Sequence, residues 1–130
     1  MRLDSVLSRL QAHCPSAEVV RMAYGLSTVE TSQLPAIYLH PTFEEARQSD
    51  ADNFVVQTIE CKFSVMLAAD AQTMDAIEDL RDEVRNALLG YSISSVYDAI
   101  EFVSGEVLEM SASTIWWRDT FITNHYVRQQ

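Results

Sequence analysis

Leu3, Val6, Leu7 and Leu10 recur every three to four residues, the spacing that lines one face of a helix. Asp4 is the expected N-cap, and Pro15 in "HCPSAEV" ends the pattern. "EVVRMAY" (18–24) then reads as a strand broken by Gly25, followed by the polar connection "LSTVETSQ". "LPAIYLHP" predicts a short strand, with Pro35 near its start and Pro41 past its end, where no ladder N–H is required. From 41 to 53, "PTFEEARQSDADN" carries no apolar period and is expected to be an acidic loop, solvated or used for contact.

The clearest alternation lies in "FVVQTIECKFSVMLAAD" (54–70). Ile59, Cys61, Phe63, Val65 and Leu67 face one way, and Thr58, Glu60, Lys62 and Ser64 the other, which predicts a strand with one buried and one wet face. At ~3.3 Å per residue it could reach about 45–50 Å and project beyond the domain as an arm. A second helix is expected over 71–90, with Asp70 as N-cap, Gly90 as the residue past its end, and Met74, Ile77, Leu80, Val84, Ala87 and Leu88 as its apolar stripe. "SSVYDAIEFVSG" and "EVLEMSAST", parted by Ser104-Gly105, read as a hairpin before a last strand, "STIWWRDTFITNHYVRQQ".

Helices and strands in this order show no βαβ alternation. The expected fold class is therefore α+β: an antiparallel or mixed sheet of five to six strands with two α-helices packed on one face. The 130 residues, 48% of them apolar, suffice for a single domain spanning 1–130.

The formal net charge of −10 and the scatter of the nine Lys and Arg argue against tight nucleic-acid binding. No stretch approaches the ~20 apolar residues of a membrane helix, and no leader is apparent. Cys14 and Cys61 form no CxxC and suit a reducing compartment. The three glycines stand apart, so there is no phosphate-binding loop. His13, Cys14, His40, Cys61 and His125 lack metal-site spacing, and the paired carboxylates Glu44-Glu45 and Asp82-Glu83 sit in polar surroundings. No catalytic, metal or cofactor site is assigned. Asp119, between Trp117 and Phe121 on one face of the last strand, requires a partner such as a cross-strand Arg or a backbone N–H.

The last strand also poses a packing problem. Ile115, Trp117, Phe121 and Val127 share one face; Trp116, Ile122 and Tyr126 share the other with Arg118, Thr120 and Asn124. Two helices can cover one face of the sheet but not easily both. Either Trp116 stays half exposed, or its face meets another chain, most simply a copy of itself.

Taken together, the N-terminal helix, "LPAIYLHP", "QTIECKFSVMLAAD", "AIEDLRDEVRNALLG", "FVSGEVL" and the closing "WWRDTFITNHYVRQ" resemble the tail terminator (tail completion) proteins of tailed bacteriophages. The likeness runs from about Leu3 to Arg128; its most specific part is W-x-D-x-F-x-T, formed by Trp117, Asp119, Phe121 and Thr123. The resemblance implies a structural virion protein rather than an enzyme, without cofactors. It implies a ring, hexameric in the family, that caps the tail tube, ends its polymerisation and offers a surface to the head-completion or neck protein. Its partners would be copies of itself, the tube protein, the neck protein and, in a contractile tail, the sheath, with DNA passing through the lumen unbound and no membrane. Its place would be the virion neck, after assembly in the host cytoplasm. Candidate interface residues are Trp116, Arg118, Ile122 and Tyr126 on the last strand, Phe43, Glu44, Glu45 and Arg47 in the acidic loop, and Glu60 and Lys62 on the long strand. The rival expectation is a small ligand-binding or enzymatic domain with a pocket near the C-terminal tryptophans.

Overall fold

A computed structural model describes residues 2–23, 34–47, 56–72, 74–111 and 113–128. The expected break at Gly25, the polar connection after it and the 48–53 part of the expected acidic loop lie outside these residues. The elements are α1 (Asp4–His13), β1 (Val19–Met22), β2 (Ala36–Ala46), β3 (Val56–Asp70), α2 (Met74–Leu88), β4 (Glu101–Met110) and β5 (Thr114–Arg128). The strands form one mixed sheet in the order β1-β2-β3-β5-β4. β1 runs parallel to β2, and every other neighbouring pair is antiparallel.

The α+β expectation holds, and the strand number settles at five among the described residues. Both helices pack on one face. Val6 and Leu10 of α1 and Ile77, Leu80, Val84 and Leu88 of α2 meet Ile37, Leu39, Phe63, Val65, Leu67, Ile115 and Phe121 from the sheet. Phe63 and Phe121, directly opposite one another, stack with ring centres 5.7 Å apart. Gly90 takes φ +82 at the end of α2, the left-handed conformation that glycine adopts without strain.

Several boundaries differ from the sequence reading. Asp4 is the first helical residue of α1 rather than its cap; buried Leu3 holds the N-cap position and makes no side-chain cap bond. Asp70 ends β3, and its carboxylate accepts the Gln72 N–H at 2.9 Å, so it shapes the turn before α2 rather than capping the helix. Residues 41–46 of the expected acidic loop are strand: β2 continues past Pro41 through an irregularity before Phe43 and pairs up to Ala46 with Ile59. The expected hairpin at Ser104-Gly105 is one continuous strand, β4, and the hairpin joins β4 to β5 instead.

Candidate interaction surface

In an antiparallel pair, residues directly opposite one another share a face. Lys62 lies opposite both Ile122 and Phe43, Glu60 opposite Glu45, Met66 opposite Arg118, Ala68 opposite Trp116, and Thr58 opposite Tyr126. The register therefore collects Phe43, Glu45, Glu60, Lys62, Trp116, Arg118, Ile122 and Tyr126 on the sheet face away from the helices. Arg47 reaches the same face by an ion pair to Glu60 at 2.8 Å. Of the ten candidates, Glu44 alone falls on the helix side, where the Cys61 thiol approaches its carboxylate at 3.9 Å.

This face changes character along its length. At one end, Val19, Ala36, Tyr38, Met66 and Ala68 form a second buried cluster, and Trp116 packs against it with its ring 6.2 Å from that of Tyr38. The expected wet face of β3 is thus dry from Ser64 to Ala68. Half-buried Trp116 is covered on one side by its own chain. Towards the other end the contacts are polar. Lys62 sits over the Phe43 ring at 5.9 Å. Arg47 holds the Glu60 carboxyl below its ordinary range, and Glu60 in turn raises Arg47. Tyr126 donates to the Asp98 carboxylate at 2.7 Å, a bond that raises the tyrosine's pKa because ionisation would set two negative charges together.

β4 is a surface the sequence reading missed. Every one of its ten residues is exposed. Phe102, Val103, Val107, Leu108 and Met110 are large apolar side chains in water, with Val107 at 49% and Met110 at 62% exposure. The register assigns its two faces different chemistry. Glu101, Glu106 and Glu109 oppose Ile122, Arg118 and Trp116 on the helix-free face. Phe102, Val107 and Met110 oppose Phe121, Trp117 and Ile115 on the helix side. Phe102 packs edge-on against core Phe121 at 5.7 Å, while Val107 and Met110 stay about half exposed or more. No Lys or Arg occurs between Arg85 and Arg118.

Beneath β4 lies Asp119, fully buried. Its carboxylate accepts the Arg81 Nε–H at 3.2 Å and the Trp117 indole N–H at 2.8 Å, while the Arg81 guanidinium lies 4.4 Å from the Trp117 ring centre. The partner is an arginine from α2 rather than from a neighbouring strand. A Cβ at Gly105 would stand 2.5 Å from Asp119 Oδ1 and 2.9 Å from Arg81 Nη2, so a side chain here would have to displace the buried ion pair. That requirement, not a turn, explains the glycine.

Both thiols are buried. Burial and then the Glu83 charge push Cys14 up to about 12, and burial and then Glu44 raise Cys61, so both stay protonated near neutrality. An open recess of about 450 Å³ is lined by Arg2, Asp4, Ser5, Ile93, Ser94, Val96, Tyr97 and His125. None of Trp116, Trp117 and Tyr126, around which a pocket was expected, lines this recess.

The family profile described as phage tail terminator protein matches residues 1–130, the whole chain. The chain belongs to the phage tail terminator family. It is a structural component of a virion tail. No curated protein matches it. Among solved structures, it is similar to a chain in the virion of a native gene transfer agent particle, with 18% identity and a TM-score of 0.58 over 98% of this chain and 89% of that one. At that identity the likeness concerns the fold. In this terminator the closing W-x-D-x-F-x-T pattern is structural at every position. Trp117 and Asp119 hold Arg81, Phe121 stacks on Phe63, and the Thr123 hydroxyl donates to the Asp98 carbonyl at 2.7 Å.

Proposed function

We propose that the chain, as one tail-terminator domain over 1–130, assembles into a ring, hexameric as the family resemblance implies. The ring caps the tail tube, ends its polymerisation and presents the neck-facing surface to the head. Its role is mechanical rather than enzymatic. Family membership supports the setting. The observation that carries the assembly is β4: a ten-residue edge strand, exposed throughout, with five large apolar side chains. Such an edge is an aggregation liability in a monomer and is at home beneath a partner. The helix-free face with Phe43, Glu45, Arg47, Glu60, Lys62, Arg118, Ile122 and Tyr126 suits contact with the tube, the neck protein or the sheath of a contractile tail. DNA would pass the acidic lumen without adhering. Assembly would take place in the host cytoplasm and leave the ring at the neck.

The test is electron microscopy and sedimentation of the purified protein, alone and mixed with tail tubes. Rings on tube ends, with tube growth halted, are expected. A chain that stays monomeric and leaves tubes uncapped would overturn the proposal.

A further inference from the structure

The geometry points to the partner of β4: the β1 edge of a second copy of this chain, joined head to tail so that the sheet continues from one subunit into the next. This rests on the ring reading and specifies the contact that would build it. β1 and β4 are the two outer strands of the sheet, and their chemistry matches face by face. On β1, Val19 and Arg21 oppose Ala36 and Tyr38 and so lie on the helix-free face. Val20 and Met22 pack with the helix-side core. Arg21 is exposed and has no acidic partner among the described residues.

Laying the β1 edge of one copy beside β4 of another, with the sheet faces aligned, puts Arg21 on the side of Glu101 and Glu109; Glu106 on that face is already paired with Arg118. The same placement sets half-buried Val20 and Met22 on the side of Phe102, Val107 and Met110. The obvious rival is β4 against β4 about a two-fold axis. That arrangement gathers Glu101, Glu106 and Glu109 of both copies on one face, and like charges across a strand pair repel. A head-to-tail contact between unlike edges is also the kind that closes into rings.

Charge exchange tests this on the full chain, by sedimentation velocity and by ring counts on tail tubes. Arg21→Glu should weaken assembly about tenfold or more, and so should the Glu101→Arg, Glu109→Arg double variant. Combining all three changes should restore it. Val107→Lys should abolish assembly while circular dichroism and the thermal midpoint hold steady. Assembly strengthened by Glu101→Arg, Glu109→Arg alone would establish the two-fold rival and overturn the inference. Wild-type rings that survive Arg21→Glu and Val107→Lys unchanged would overturn it too, leaving the ring reading intact. A wild-type chain that forms no ring, free or on tubes, removes both.

Discussion

At one border of the sheet, β1 offers four residues: Val19 is buried, Val20 and Met22 lean on the core, and the Gln11 amide of α1 donates to the Val20 carbonyl at 3.1 Å. At the other, β4 offers ten residues, all exposed. One strand is short and attended by a helix, while the other is long, apolar and exposed. Evolution commonly blunts edges with brevity, charge or cover. β4 carries charge on one face only, which leaves the other open to association. The difference makes β4 the larger surface left for association and β1 the smaller one, already partly held by its own helix.

Stability should therefore respond to what lies under β4 and hardly at all to β4's own outward groups. The largest effect is expected from Asp119→Ala, which strips the counter-ion from the part-buried Arg81 guanidinium and should cost about 3–5 kcal/mol in urea unfolding. Trp117→Ala removes core packing, the indole donor and the Arg81 stack, and should cost about 3 kcal/mol. Trp116→Ala loses the Tyr38 stack on the helix-free face and should cost about 1–2 kcal/mol. Equal losses from the two tryptophans would erase the distinction between the sheet's faces.

Cys14, just ahead of β1, reports how tightly that border is sealed. The folded chain keeps its thiol proton to about 12 against an ordinary 9.0, so the unfolded chain ionises first. Stability should be intact below pH 9 and decline as pH rises towards 12, and Cys14→Val should flatten that decline. A thiol reagent should leave native Cys14 untouched yet label a Val107→Cys variant at once; similar rates would break the contrast between the borders. The smallest effect is expected from Val107→Lys, within about 0.5 kcal/mol of wild type in the monomer.

The sequence was most readable where burial imposes a period. Ile77, Leu80, Val84 and Leu88 marked α2, and Cys61, Phe63, Val65 and Leu67 marked the inner face of β3. Phe43 to Ala46 escaped because a strand exposed on both faces carries no such period, and β4 was read as strand but broken in two at Ser104-Gly105. Gly105 compounded the error, since a glycine placed for clearance over a carboxylate looks in sequence like a turn. The need for a partner at Asp119 was visible, but not that Arg81 would come from a helix. Nine of the ten candidate interface residues share the face opposite the helices, while the larger exposed apolar groups lie along β4.

The clearance at Gly105 has one more effect. Sliding β4 by a single position along β5 would drive the Cβ of Ser104 or Glu106 into the buried carboxylate, so the strand is pinned like a key in its slot. Whatever docks along that rim meets a fixed order of acids on one side and hydrocarbons on the other.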